Sequence, residues 1–578
     1  MMMVIANMRA VAATPSAAGY SPPGPWGVSS SSSAFKTHQQ WFPKMAAAGI
    51  TSVRLFPEWR GIETATGVWN WSASDLLVKS AADNHLEINA ILMGSPPGTK
   101  SVHAFPMQNL EDWSSYVSKS VERYHRQIRD WEVWNEGNGG FNDGHNSTAD
   151  YAKLAAATYT AAKQADPQAQ VGMTVASFDP AYLDQAILAM AKAGKANHFD
   201  FLCVHPYEIA DGLAEADGEI PFLWMGHSLR AVLKQNAPER ADAPLWITEI
   251  GARLDKTPGR VVTERDAAEA FVKLYVMGIA QGFARIQWFE AQDGVGEDQG
   301  FGLLDAKGNE RAAYRALQTL VGALGEKPRY LGWLALGQEG RGYGFAFEGP
   351  HGPVLVAWMP KGLTDKTVTF AAPMQIQTAA TGAELADLKG GLTDAPILVN
   401  RLSAELVQQA RANESKNFPW GGDFSAAKTV RYLPGQPHPC AGVFPTGRVA
   451  SPTVTFADGS SGVLLPGDIG HPLSFYVHPS FANLAHRDYY VRATVRRIAQ
   501  GNVGMNLLYE VADSGGKNAY ANVGQWFGTT SDSAWQSYIW HVSDACFAKM
   551  WGHDLTLRPE QSVPFVLGKL EVSTEKFK

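Results

Sequence analysis

The residues with the clearest capacity for chemistry are two glutamates, each closing an apolar run and each followed by glycine or nearly so. Glu136 ends Arg129-Asp130-Trp131-Glu132-Val133-Trp134-Asn135-Glu136-Gly137-Asn138, and Glu249 ends Pro244-Leu245-Trp246-Ile247-Thr248-Glu249-Ile250-Gly251. Aromatic and β-branched residues suit a pleated, mostly buried surface. Each carboxyl is therefore expected at the mouth of a strand, facing a cavity with apolar walls. There the charged form is poorly solvated, so the Glu136 carboxyl is expected to titrate above its usual range and to donate a proton near neutral pH. Asn135 beside it can hydrogen-bond a substrate hydroxyl. Two carboxyls on two strands, roughly 5–5.5 Å apart, are what retaining glycoside hydrolysis needs, one as acid/base and one as nucleophile. The plain alternative is two unrelated strand-end carboxylates in salt bridges.

The elements that must position them alternate between strand and helix. Trp26-Gly27-Val28-Ser29 reads as a first strand, with the Ser run 29–33 as a loop after it. Helical spacing over 35–48 stops at Gly49, a good cap. Ile50 to Leu55 and Leu86 to Met93 read as the second and third strands, and Leu110 to Tyr124 as a helix with one apolar face. The Glu136 strand is fourth. An Ala-rich helix, Tyr151 to Ala165, leads to strands over Val171–Val175 and Phe199–Val204. The Glu249 strand is seventh. A helix over Ala267–Gln281 precedes the eighth, Arg285 to Glu290. The expected fold is an α/β (β/α)8 TIM barrel with active groups gathered at the C-terminal strand ends.

Trp-Asn-Glu at the fourth strand and Thr-Glu-x-Gly at the seventh resemble clan A retaining glycoside hydrolases, most closely family 39 and the related family 5. The resemblance implies that Glu136 is the acid/base and Glu249 the nucleophile. Arg54, at the end of the second strand, matches a clan position beneath the nucleophile, where a guanidinium would hold Glu249 ionised and oriented. His205-Pro206-Tyr207 ends the sixth strand, where members of the clan often place a His or Tyr. His205 is the expected contact on the nucleophile side, with Tyr207 a softer candidate. Asp293 and Phe301 to Asp305 resemble the end of these barrels, and Trp69 and Trp71 mark a packing landmark before the second helix. Trp288 is the expected floor of the subsite that holds the cleaved sugar. Glu290, a third strand-end carboxyl, is a candidate for a sugar hydroxyl, and His103 is a loop histidine near the barrel top. The implied activity is a retaining glycoside hydrolase cleaving a β-linked oligo- or polysaccharide, with no metal or organic cofactor. A transglycosidase on the same site and a non-catalytic glycan-binding protein are the rival readings.

Beyond the barrel, read as 21–326, the pattern changes to short alternating runs punctuated by Gly and Pro. Residues 327–405 read as a small antiparallel β-domain, 406–435 as a linker or an entry strand, and 436–578 as a jelly-roll-like β-sandwich. Tyr520, Trp526, Phe527 and Trp551 are its candidates for exposed, sugar-stacking aromatics. The composition, 45% hydrophobic and 18% charged over 578 residues, is that of a soluble globular chain. A net charge of −7 argues against a general nucleic-acid binder, which needs a basic footprint. Three cysteines, Cys203, Cys440 and Cys546, make neither a disulfide framework nor a zinc pattern, though the last two are a candidate pair. No apolar run approaches the roughly 18 residues of a membrane span. The apolar, small-residue N-terminus, 1–20, reads as a signal remnant or a disordered arm, which leans the expected location toward the secreted or periplasmic side.

Overall fold

The structure is a computed structural model that describes residues 23–578, apart from 215–216, 257–260, 437, 447–451, 466–472, 499–502, 513–517, 524–526, 530–533 and 560–563. The N-terminal segment 1–20 and Trp526 lie outside the described residues, as does the side chain of Phe527. Eight parallel strands close into a barrel: β1 (Trp26–Ser29), β2 (Ser52–Arg54), β3 (Glu87–Leu92), β4 (Asp130–Val133), β5 (Gln170–Ala176), β6 (Phe201–His205), β7 (Leu245–Ile250) and β8 (Phe283–Trp288). The order around the barrel is the order in the chain, and β1 pairs with both β2 and β8. The main helices of the outer ring are α1 (His38–Ala47), α2 (Ser72–Asp83), α3 (Leu110–Tyr124), α4 (Thr148–Ala165), α5 (Pro180–Lys192), α6 (Met225–Asn236), α7 (Glu264–Ala280) and α8 (Ala312–Leu324). The eight-stranded expectation holds, and so does the strand order. Within the Ser run, Ser32–Phe35 forms a single helical turn rather than loop.

Local chemistry sets several boundaries. Helix α4 starts three residues before the apolar pattern does, because Ser147 and Asp150 cap each other's backbone. Thr263 and Asp266 do the same for α7. Outward-facing strand residues pack under the helices. Trp26 stacks on Tyr275 of α7 with centroids 5.4 Å apart, and its indole donates to the Gly325 carbonyl just past α8. Trp69 and Trp71 stack on each other at 5.6 Å, and Trp71 meets Tyr124, so both serve packing.

A six-stranded antiparallel sheet follows: β9 (Arg329–Leu336), β10 (Gly342–Gly349), β11 (Gly352–Trp358), β12 (Gln375–Thr378), β13 (Glu384–Leu385) and β14 (Ile397–Asn400), ordered β9-β10-β11-β14-β12-β13. Side chains alternate between its faces. Tyr343, Phe345, Val356 and Trp358 join the barrel core, while Leu334, Ala346, Leu355 and Ala357 form a separate core on the other side. Trp358 donates to Glu219, which also pairs with Lys273 of α7 at 2.9 Å, so a buried ion pair sits at the seam. The stretch read as a linker or an entry strand ends in a strand, Thr429–Tyr432, and begins in a helix. Helix α9 (Ala404–Arg411) packs on β9 and buries Ala410, and Trp420 lies against Tyr343 and Phe345. Polar composition hid this because α9 has only one buried position.

The C-terminal region is one antiparallel network of thirteen strands among the described residues. Its ends, Cys440–Ala441 and Val443–Thr446, are separated only by Gly442, so the sheet doubles back over a core that includes Phe475, Tyr489, Trp540 and Leu557. Strand Phe565–Ser573 is central and pairs with Thr429–Tyr432, Arg487–Arg497 and Ser461–Leu465. The candidate pair Cys440 and Cys546 is not joined by a disulfide, and Cys203 is in none either. Among the described residues no helix is long and apolar enough to cross a membrane.

Removing the α7 cap with Thr263→Ala is expected to lower barrel stability by about 1 kcal/mol. Urea unfolding followed by tryptophan fluorescence reads this as a lower midpoint, and an unmoved midpoint would show that the cap is redundant.

Candidate active site

The strand ends converge on a buried guanidinium. Arg54 closes β2 and is 1% exposed. Its Nε donates to Glu132 Oε2 at 2.9 Å, Nη1 to Glu249 Oε1 at 2.6 Å, and Nη2 to Asn135 Oδ1 at 2.8 Å. Burial works against the positive charge, but Glu132 and Glu249 outweigh it and hold the group protonated. Glu132 lies on β4 inside the barrel, fully buried, and also accepts from Thr174 and Asn89. Burial would raise its carboxyl, but Arg54 above all, then His205 and these hydrogen bonds, hold it below the usual carboxylate range. The sequence reading passed over Glu132. The available signal was a lone acid inside an apolar strand, a placement that burial makes costly without a partner.

Glu249 reaches the cleft through a break in strand regularity. The β7–β8 register runs Ile286↔Ile247 and then Trp288↔Ile250, two steps on one strand against three on the other. The extra residue is a β-bulge, which re-aims side chains next to such sites. Ile247 consequently packs outward near Gly278 of α7, while Thr248 and Glu249 both serve the site. Glu136 is presented differently. The chain leaves β4 with Trp134 at φ 67° and Glu136 at φ 48°, left-handed values that non-glycine residues adopt at a cost of about 1–3 kcal/mol each. Trp134 anchors the turn by packing on Phe105 and Trp113 and by donating to the Phe141 carbonyl at 2.7 Å. Gly137 is required here, since a Cβ would lie 2.7 Å from the Phe105 ring.

The two glutamates face each other. One carboxylate oxygen from each and a ring nitrogen of His205 all lie within 4.8 Å of one another. Both carboxylates remain open to the cleft, at 21% and 13% exposed. The ring contacts are the reverse of expectation. His205 Nδ1 is 2.7 Å from Glu136 Oε1 and 3.8 Å from Glu249 Oε2, while its Nε2 meets Thr248 Oγ1 at 3.1 Å. Tyr207 is the residue that hydrogen-bonds Glu249, donating to Oε2 at 3.1 Å. His205 ends β6 and is held by the strand, whereas Tyr207 opens the short helix Tyr207–Asp211 and reaches across to Glu249.

The expected upward shift of Glu136 is also overturned. Burial alone would raise the carboxyl, but the hydrogen bond and charge of His205, followed by the charge of Arg54, hold it below the usual range. Glu136, His205 and Glu249 form the one set of His, Cys, Asp or Glu donors among the described residues clustered closely enough to hold a metal ion. Arg54 donates to one of these carboxylates, so a cation there would face a fixed positive charge. This donor set suits proton and nucleophile chemistry better than metal ligation.

These residues open into a cleft of ≈ 1120 Å³ at the C-terminal end of the barrel. Trp288 is not its floor. Gln287 points into the barrel toward Asn89, so by strand alternation Trp288 faces outward, where it is fully buried on Phe271 and donates to the Phe301 carbonyl. Phe289 and Phe301 line the cleft instead, with Tyr207 against both. Glu290 is buried away from it. It accepts the backbone N–H groups of Ser31 and Gly294 and so fixes two barrel-top loops, and burial pushes its carboxyl up to about 7. Asp293 pairs with Arg311 and accepts from Gly302, again holding a loop. His103 does line the cleft, 3.2 Å from Glu58. Tyr520 is no surface platform, because its ring stacks on His553 and its hydroxyl donates to backbone carbonyls. Trp551 reaches the cleft from the C-terminal domain, a placement that sequence reading missed.

Glu132→Ala is expected to destabilise the protein by about 3–5 kcal/mol, because it strips a fully buried partner from Arg54. A denaturation midpoint equal to that of the wild type would show that Glu249 alone suffices to compensate the guanidinium.

No protein-family model matches the chain, and no curated protein sequence is significantly similar to it. Solved structures do resemble it. A family 39 glycoside hydrolase from the gut symbiont Bacteroides cellulosilyticus WH2 superposes with a TM-score of 0.50 at 17% identity, covering 65% of this chain and 81% of the other. A GH39 enzyme from Xanthomonas axonopodis pv. citri gives 0.47 at 16% identity, covering 66% and 94%. A GH39 β-xylosidase from Caulobacter crescentus gives 0.46 at 17%, covering 65% and 96%. At such identities the likeness concerns the fold, and on that level the chain has the (β/α)8 architecture of the Bacteroides family 39 glycoside hydrolase.

Proposed function

We propose that the protein is a retaining glycoside hydrolase that cleaves a β-linked oligo- or polysaccharide by double displacement. The observation that carries the reading is the pair of facing carboxylates, with oxygens within 4.8 Å at the C-terminal mouth of the barrel. That spacing fits direct attack by one of them and leaves too little room for the water that an inverting enzyme holds between its carboxyls. The partners divide the roles. Glu249, held by Arg54 and Tyr207, has a fixed direction and a charged neighbour, as a nucleophile needs. Glu136 is bonded to His205, a group that can share a proton with it. Glu249 attacks the anomeric carbon as Glu136 protonates the departing oxygen. Glu136 then takes a proton from water, which releases the sugar from Glu249. Asn135, with its Oδ1 fixed by Arg54, directs its amide toward the 2-hydroxyl. The Bacteroides neighbour is described as a glycoside hydrolase, which agrees with this assignment.

Glu249→Ala is expected to abolish turnover on an aryl β-glycoside, with azide restoring product as the inverted-anomer glycosyl azide. Absence of that product by NMR removes the nucleophile assignment. Glu136→Ala is expected to spare substrates with good leaving groups far more than natural ones, and equal loss on both counts against an acid/base.

The pH profile follows from the sign of the Glu136 shift. His205 favours the ionised carboxyl, so protonated Glu136 is lost at a lower pH than for an ordinary buried glutamate, and activity is expected to peak on the acid side. His205→Gln removes the charge while burial remains, which raises the Glu136 pKa. The alkaline limb of kcat/KM should then move to higher pH, and an unmoved limb would separate His205 from control of Glu136.

A further inference from the structure

The two ends of the cleft differ in origin. Around Glu249 the wall comes from barrel loops, with Ser31, Gly251, Phe289 and Phe301 among its residues. Around Glu136 the wall includes Trp551, carried on the turn Met550–Gly552 of the C-terminal domain. A Cβ built on Gly139 would meet the Trp551 Cη2 at 3.4 Å, and the Gly139 N–H donates to the Glu136 carbonyl at 2.8 Å. The indole thus lies against the turn that presents Glu136, and no side chain at 139 intervenes.

That turn is braced from both sides. From the barrel, the Phe178 carbonyl accepts the Gly552 N–H at 2.6 Å. From its own domain, Tyr520 donates to the His553 carbonyl at 2.9 Å and stacks on the His553 ring. Beneath it, Lys549 is fully buried, pairs with Asp554 at 3.1 Å and donates to the carbonyls of Ala482 and Phe547. Glu510 accepts the Ala548 N–H. Lys549 and Trp551 both have left-handed backbones, at φ 66° and 52°, a conformation that persists only when the surroundings over-determine it. The turn that carries the indole is therefore set before any ligand arrives, which lowers the cost of binding.

In a retaining glycosidase the acid/base stands beside the departing oxygen and the nucleophile on the opposite face of the bond. A platform against the Glu136 turn consequently meets the departing sugar. We propose that Trp551 is the stacking platform for the sugar unit on the leaving-group side of the scissile bond, so that the C-terminal domain completes the active site for a di- or oligosaccharide. The inference rests on the glycosidase reading above. The indole offers a large, rigid apolar face to the C–H face of a pyranose.

The test compares donors that have a leaving-side sugar with donors that have none. Wild type, Trp551→Ala and Trp551→Phe are assayed on β-glycosyl fluorides of glucose, xylose, galactose and mannose and on the matching β-linked disaccharides. Trp551→Ala should lower kcat/KM on the disaccharide about tenfold or more, and Trp551→Phe should recover part of the loss. Hydrolysis of the fluoride, and of the matching methyl β-glycoside whose poor leaving group needs Glu136 but carries no second sugar, should stay within about twofold of wild type. A fall on the methyl glycoside equal to that on the disaccharide would mean a displaced Glu136 and overturn the platform. Equal loss on fluoride and disaccharide, no loss on the disaccharide, or a wild type that cleaves fluorides but no disaccharide overturns the platform and leaves the glycosidase reading standing. A wild type inert on every donor removes both.

Discussion

The site depends on one buried charge. Moving a guanidinium out of water costs several kcal/mol even after relaxation, and the return comes only from well-placed partners. Arg54 has them on three sides, and they come from two strands: Glu132 from within β4, Asn135 just past its end, and Glu249 from β7. The guanidinium therefore couples the position of one candidate catalytic carboxylate to the amide beside the other. Glu132 makes this affordable because it never faces substrate. It compensates Arg54 permanently, so the guanidinium keeps a charged partner whatever the state of the Glu249 carboxyl. The same logic explains the behaviour of Glu136. Its surroundings oppose one another, burial favouring the neutral acid and His205 the anion, and the histidine prevails.

Much of this was legible in the chain and some of it was not, for separable reasons. Asn135, Glu136 and Glu249 stand at strand ends, where an apolar run meeting a charge and a glycine leaves a visible mark, whereas Arg54 has no such mark and was picked out by the resemblance. Residue parity was less secure. Trp288 and Phe289 differ by one position, and in a strand one position exchanges the inside of the barrel for the outside. The bulge that turns Glu249 into the cleft has no signature in alternation, since it is a property of pairing with β8. The exchange between His205 and Tyr207 is a matter of reach, set by the short helix after β6. The direction of the Glu136 shift needed the 2.7 Å contact with His205. Trp551 is the extreme case, because nothing near it in sequence belongs to the barrel.

The appended sheets are joined to the barrel by polar as well as apolar contacts. Glu219, Lys273 and Trp358 meet at the seam with the six-stranded sheet, and the Gly552 N–H donates to the Phe178 carbonyl where the C-terminal domain reaches the cleft. Apolar faces can slide over one another with little change in energy. A hydrogen bond tolerates a narrower range of alignments, so the bonds that cross the seams, from the Trp358 indole to Glu219 and from the Gly552 N–H to the Phe178 carbonyl, fix how the layers are oriented as well as how tightly they adhere.

The central position of strand Phe565–Ser573 has a consequence for how the molecule is made. The barrel can close once β8 has been synthesised, because β1 then has its second neighbour. The C-terminal sheet cannot be completed on the same schedule, since the strand that joins Thr429–Tyr432, Arg487–Arg497 and Ser461–Leu465 comes after all three of them. Domains emerge and fold from the N-terminus onward during translation. A nascent chain would therefore carry a formed barrel, with both glutamates in place, well before the wall beside Glu136 is finished. During that interval the cleft is open at one end.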